Sequence, residues 1–314
     1  MQNKTRTSTW NACREYILTE AALRDDFVLV VPARNFDAGS FEGLPEEKIS
    51  LVHGSDANIV MHAAGLALAG KRPWIATESS AFISRAYGAI REALAEPSLP
   101  VVIAVSGAGL SRGKDGASSL IVEDTALMRA MPGMGVLVPS DSATAAGAAE
   151  IASKSGSPVY LRCGLTETQN ADGADEPFHS GGARILFEGT DVTICACGIM
   201  TGRALEASDM LEQQGISAEV IDCYSVKPFP DQILLSSVRR TGCCVTAEEG
   251  SCVGGLGGAA AECLGRTYPV PMRFVAVEDH FAGSGTPDEL REYCGLTGRE
   301  IVNAAAQVWA LRRR

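Results

Sequence analysis

Histidine is scarce in this chain: the 314 residues contain four, at positions 53, 62, 179 and 280, and they are scattered. A structural zinc site calls for paired Cys-x2-Cys units or a histidine cluster, and neither pattern occurs. The ten cysteines include Cys195 and Cys197 within DVTICACGIM and Cys243 and Cys244 within TGCCVTAEE, settings that read as reduced thiols in buried strands. Basic residues are also few, 27 against 38 acidic ones, and the formal charge of −11 opposes non-specific attraction to nucleic acid or anionic lipid. The only basic run, Arg312 to Arg314, reads as a solvated helix end. Nowhere is there a stretch of roughly 18 uncharged apolar residues, as a membrane span needs. The N-terminal MQNKTRTSTWNACREYI has no apolar signal core. A cytoplasmic protein without a membrane or nucleic-acid partner is expected. No internal repeat or low-complexity tract appears.

What the chain does have is a 46% hydrophobic content, enough to fill two ordinary cores. Apolar, β-branched runs alternate with Ala- and Leu-rich stretches of helical period, the pattern of a parallel sheet covered by helices. The runs DFVLVVP (26–32), RPWIATE (72–78), PVVIAVSG (100–107), MGVLVPS (134–140) and SPVYLRC (157–163) are uninterrupted, as in strands buried on both faces. Helices are expected over 9–23, 58–69, 84–95, 122–131 and 142–154. A polar stretch at 166–182 reads as a linker. Beyond it the strands DVTICACG, SAEVIDCY, GCCVTAEE and MRFVAVED alternate with helices over 201–214, 231–239 and 257–265, and a last helix spans 298–311. The expectation is an α/β protein of two doubly wound domains, 1–165 and 183–314, joined by 166–182.

Particular segments carry a resemblance. HGSDANIVMHAAGLALAGKRPWIATESSAFISRAYGAIREAL (53–94), SGAGLSRGKDGASSLIVEDTALMRAMPGMGVLVPSD (106–141) and PVYLRCG (158–164) resemble the pyrimidine-binding domain of the transketolase family. KPFP (227–230), TAEEGSCVGGLGGAAAE (246–262) and SGTPDEL (284–290) are similar to that family's C-terminal domain, so the resemblance covers nearly the whole chain.

The resemblance implies a thiamine diphosphate enzyme. In that family the diphosphate is held through magnesium by a separate domain bearing a Gly-Asp-Gly motif and a downstream Asn, neither of which is present here. Lys114-Asp115-Gly116 does not replace it, since a hard cation needs several oxygen ligands. The implied partner is an N-terminal transketolase-like subunit that carries the diphosphate and magnesium site, in an α2β2 heterotetramer with active sites shared between chains.

The family's proton-relay glutamate falls at Asp56, a carboxylate one methylene shorter. Asp56 reads either as that relay or as a cap of the apolar helix it precedes. The phenylalanines that flank the aminopyrimidine fall at Glu78 and Ala81, with Phe82 displaced by one. Either Phe82 swings in while Glu78 faces the subunit boundary, or Glu78 takes over the relay, or the ring is no longer bound. Asp115 matches a sugar-hydroxyl-binding Asp and Arg162 a phosphate-binding Arg, although Arg162 also reads as an ion-pair residue. Two family histidines fall at Gly107 and Ser119; His53, at a family glycine, reads as either a cleft imidazole or a structural strand-end residue.

A dinucleotide-like Gly255-x-Gly257-x-x-Ala260 is set aside because five residues separate Glu249 from its first glycine, where a tight turn is required. The resemblance points to the C-terminal subunit of a transketolase that transfers a two-carbon ketol unit, with at least one small-molecule or carrier-bound substrate unlike the usual sugar phosphates. The alternatives are the β-subunit of a 2-oxo-acid dehydrogenase or decarboxylase, and a degenerate scaffolding or regulatory subunit that binds no cofactor.

Overall fold

The uninterrupted apolar runs become strands buried on both faces. In the computed structural model, which describes residues 6–35, 41–171 and 177–312, the first domain contains β1 (Arg6–Ser8), β2 (Phe27–Pro32), β3 (Ile49–Val52), β4 (Arg72–Thr77), β5 (Val102–Val105), β6 (Gly135–Leu137), β7 (Val159–Arg162) and β8 (Glu167–Gln169). Its helices are α1 (Thr9–Leu23), α2 (Asp56–Leu68), α3 (Ala81–Ile90), α4 (Asp124–Ala130) and α5 (Ser142–Lys154). The second domain has β9 (Arg184–Phe187), β10 (Val192–Ala196), β11 (Ala218–Asp222), β12 (Ser225–Lys227), β13 (Cys244–Ser251) and β14 (Met272–Val277). Its helices are α6 (Met200–Glu212), α7 (Asp231–Thr241), α8 (Leu256–Thr267), α9 (Pro287–Tyr293) and α10 (Gly298–Leu311).

Seven strands in the order β12-β6-β7-β5-β4-β2-β3 form the first sheet, and β14-β13-β10-β11-β9 the second. All pairs in these two sheets are parallel except β12 with β6 and β11 with β9, each at a sheet edge. β12 comes from the second domain in sequence but completes the first domain's sheet. The cores join as well: one cluster of buried side chains runs from Val105, Val136 and Tyr160 to Cys195, Cys223 and Leu234.

The strands that the sequence pattern missed, β1, β3, β8, β9 and β12, are three or four residues long, too short to show a period. α2 begins two residues earlier than expected because Ser55 caps it, its hydroxyl accepting from the Asn58 N–H at 3.2 Å. α3 starts at Ala81 and passes into a π-helical turn over Arg91–Ala95.

The 166–182 stretch, expected as a polar linker, makes contacts of its own. Within it β8 pairs antiparallel with β1, and Phe178 packs edge-on against Tyr224 at 5.3 Å between ring centroids. Residues 172–176 of that stretch, and Arg313 and Arg314 of the basic run, lie outside the described residues. Nine cysteines are buried and Cys252 is half-buried, all as free thiols. Among the described residues no helix is long and apolar enough to cross a membrane.

Candidate active-site cleft

The carboxyl ends of parallel strands are where α/β sheets place their ligand sites, because the connections diverge there and leave a crevice. In the first sheet this edge opens on a cavity of about 280 Å³, lined at the ends of β2, β4 and β5 by Val31, Thr77, Glu78 and Ser106. Trp10 and Arg14 of α1 and Arg112 complete the polar and aromatic wall.

Glu78 stands directly after β4 with 43% of its side chain exposed. Arg112 Nη1 donates to Glu78 Oε2 at 3.3 Å, and Arg112 Nε donates to Asp115 Oδ2 at 2.6 Å. The Gly113–Asp115 turn that carries Asp115 is held by the second domain, since the Gly285 N–H donates to the Gly113 carbonyl at 3.1 Å. A Cβ on Gly113 would lie 2.4 Å from the Gly285 carbonyl oxygen, so glycine is needed for that approach.

Asp56 is 4% exposed at the first position of α2. Because Ser55 takes the cap, the Asp56 carboxylate is free for other partners. It finds two: Arg85 Nε donates to Oδ2 at 2.5 Å and Arg34 Nη2 donates to Oδ1. His53 is exposed, and its backbone carbonyl accepts from Asn58 Nδ2 at 2.8 Å.

Two expected site residues lie elsewhere. Phe82 is fully buried in the core among residues such as Ile59, Ile75 and Ile103, so its ring forms no cleft wall. Arg162 is 7% exposed and donates from Nε to Asp124 Oδ2 and from Nη2 to the Glu249 carbonyl, both at 2.8 Å. Burial alone would lower its pKa, but Asp124 and Tyr160 push it up, as suits a permanent structural cation. The space beside it is a cavity of about 30 Å³, too small for a sugar. Arg162 therefore clamps the domains. Glu249 continues the network by accepting from Arg291 Nε at 2.7 Å.

Sequence reasoning missed Arg34, Arg85 and Arg112. Only Arg112 left a signal, its place just ahead of Gly113-Lys114-Asp115-Gly116.

Residues 55–168 match the transketolase pyrimidine binding domain and residues 181–301 the transketolase C-terminal domain. The chain is 39% identical to 6-deoxy-6-sulfo-D-fructose transketolase subunit SqwH of Clostridium sp. strain MSTE9, over 93% of this chain and 92% of that protein. The chain belongs to the transketolase family. This transketolase-family chain is also 31% identical to an apulose-4-phosphate transketolase subunit of Phocaeicola vulgatus, over 78% of each. A solved split gene transketolase, described as an inactive beta4 tetramer, superposes with a TM-score of 0.89 at 37% identity, covering 98% of this chain and 100% of that one. The transketolase of Campylobacter jejuni shares the fold at a TM-score of 0.82 and 18% identity, and this chain spans 47% of it.

The family's cofactor sets a chemical test. Its aminopyrimidine needs an apolar wall and a carboxylate with a free oxygen. In this transketolase-family chain Glu78 lines the cavity, Ala81 and Phe82 are both buried, and both Asp56 oxygens are held by guanidinium groups. In the chain by itself neither a free Asp56 oxygen nor the Phe82 ring is presented to the aminopyrimidine, and Arg34 and Arg85, 43% and 54% exposed, are the groups that would have to release Asp56.

The glycine run after β13 is closed to a diphosphate. Glu248 accepts from the N–H groups of Leu256 and Gly257, both at 2.9 Å, so a carboxylate already fills the N-terminus of α8. Burial raises the Glu248 pKa, partly offset by those two N–H groups. Among the described residues no cluster of three or more His, Cys, Asp or Glu could hold a metal ion.

Proposed function

We propose that this chain is the C-terminal subunit of a two-chain transketolase that moves a two-carbon ketol unit between sugars, working with a separate subunit that holds the diphosphate of thiamine diphosphate and its magnesium ion. The observation that carries this reading is the extent of the match: the relative and the solved structure that the chain covers over 92% and 100% of their lengths are a transketolase subunit and a split gene transketolase. Their names favour transketolase over the 2-oxo-acid dehydrogenase alternative. The part assigned to this chain is the sugar-facing wall. Glu78 and Asp115, 43% and 40% exposed, offer carboxylate oxygens to sugar hydroxyls at the strand ends. The assembly is an α2β2 heterotetramer in the cytoplasm.

A second reading, a scaffolding or regulatory subunit, draws on the double pairing of Asp56 and the burial of Phe82. One experiment separates the two. The chain is co-purified with a partner bearing the Gly-Asp-Gly and Asn motif, titrated calorimetrically with thiamine diphosphate and magnesium, and assayed for ketol transfer. Saturable binding and transfer by the pair support the catalytic reading. A stable pair that neither binds nor transfers passes the case to the scaffold.

A further inference from the structure

Phe281 is the most exposed large apolar side chain among the described residues, at 81%, and Tyr293 is exposed to 72%. His280 links them: it precedes Phe281 in the chain, and its ring meets the Tyr293 ring edge-on with centroids 6.0 Å apart. The backbone beneath is well anchored. Ala282 and Leu290 are 3% and 5% exposed, and Thr286 caps α9 while its own N–H donates to Glu289 Oε2 at 2.8 Å. Two large rings left in water on a fixed scaffold mark an interaction surface.

Two observations identify what covers it. The first is charge. Between Glu278 and Tyr293 stand five carboxylates, at 278, 279, 288, 289 and 292, all exposed, and one arginine. That arginine, Arg291, is 2% exposed and already bonded to Glu249 and Asp288. Aromatic rings inside an acidic rim suit a partner surface that is apolar in the middle and basic around it. A second copy of this chain would set carboxylates against carboxylates, which costs affinity.

The second observation is place. The Gly285 N–H donates to the Gly113 carbonyl at 3.1 Å, and a Cβ on Gly116 would lie 3.0 Å from Ser284 Oγ. The surface is thus continuous with the turn that carries Asp115, which Arg112 ties to the strand-end cavity.

We infer that Phe281 and Tyr293, with their acidic rim, dock a basic surface of the subunit that holds the diphosphate of thiamine diphosphate. This rests on the transketolase reading, in which that subunit completes the cleft. The second domain then has a task of its own: it seats the partner beside a cavity that the first domain builds.

The test measures assembly. This chain and the subunit bearing the Gly-Asp-Gly and Asn motif are purified separately, and their association is followed by biolayer interferometry at low and high salt. Phe281→Ser combined with Tyr293→Ser should raise Kd by about 30-fold or more, the loss expected when central aromatic anchors are truncated. Circular dichroism should not change, because both rings lie in water in the free chain. Asp279→Asn combined with Glu292→Gln should slow association by about 3- to 10-fold at low salt and leave it unaltered at high salt, since rim charges act on encounter and are screened.

A Kd that ignores the aromatic double variant overturns the inference, as does a wild-type chain that does not bind this subunit. Association rates that ignore the acidic substitutions at low salt overturn the charge match on which the choice of occupant rests. If the aromatic variant changes only the chain's own sedimentation, the surface belongs to a second copy and the inference fails. Ketol-transfer assays of the pair keep the two readings apart. A pair weakened by the aromatic variant but without transfer activity sustains the docking surface and overturns the transketolase reading, whereas an active pair indifferent to the variant does the reverse.

Discussion

Arginines do opposite work in two regions of this molecule. At the domain boundary Arg162 and Arg291 are 7% and 2% exposed, and every charge nearby is spent on another residue of the chain. Beside Asp56, Arg34 and Arg85 keep 43% and 54% of their side chains exposed, and at the strand-end cavity Arg112 keeps 30%, while each pairs with a carboxylate. Burying a charge obliges the fold to satisfy it completely. A half-exposed charge is tolerated with valences to spare, and those can serve a ligand. The same residue type is thus structural or functional according to how much water it retains.

The largest expected effect breaks the buried side of this contrast. Arg162→Ala should destabilise the chain by about 3–5 kcal/mol by leaving Asp124 unpaired, read as a lower urea midpoint. An unchanged midpoint with altered substrate affinity would return Arg162 to the cleft. Gly107→Ala comes next. The added methyl must displace the Glu78 carbonyl or the Arg112 stem, which should cost about 1–3 kcal/mol in the same assay. A neutral result would mean that Arg112 leaves position 107 freely.

Asp56→Ala should be milder, about 1 kcal/mol or less, since Arg34 and Arg85 can return to water and Ser55 still caps α2. Thermal unfolding of Asp56→Ala beside Ser55→Ala, for which about 1 kcal/mol is expected, sharpens the point. A far larger loss for Asp56→Ala would place it with the buried network.

The smallest effect is one of pH. Burial pushes the Asp141 carboxyl up, but Arg184 and the Thr144 N–H more than offset this and hold its pKa below the ordinary 3.8. A depressed folded pKa gives stability that is present above the unfolded value and lost as pH falls through the folded one. Asp141→Asn should therefore flatten the acid limb of a stability-versus-pH curve below about pH 4. An unchanged limb would assign the acid sensitivity to other carboxylates.

The fold was legible because its long strands are buried on both faces. DFVLVVP and GCCVTAEE announce themselves as β2 and β13 without help from their neighbours, and α1, α5 and α10 match their expected spans. The cleft was only half legible. Glu78 lines the cavity and Asp115 is tied to it through Arg112, but the destination of Arg162 was decided by Asp124, 38 residues away, and by Glu249, 87 residues away. No local pattern encodes such a pairing. Phe82 went to the core for a simpler reason: it is the second residue of α3, on a stretch where Ala81 and Ile83 are buried as well. Arg112 left only its place just ahead of Gly113-Lys114-Asp115-Gly116, which does not say that it would bridge Asp115 and Glu78, 34 residues before it.

The strand that crosses from one domain to the other has a consequence during synthesis. β6 leaves the ribosome with one edge unpaired, and the segment that covers it, Ser225–Lys227, follows only after residues 138–224 have been made. Until then the nascent first domain presents an open strand edge, a template for pairing with another chain. A fragment ending near residue 170 would carry that edge permanently. The two domains are therefore separable on paper but not in the test tube: the first is expected to aggregate when expressed alone and to become soluble when the remainder is supplied.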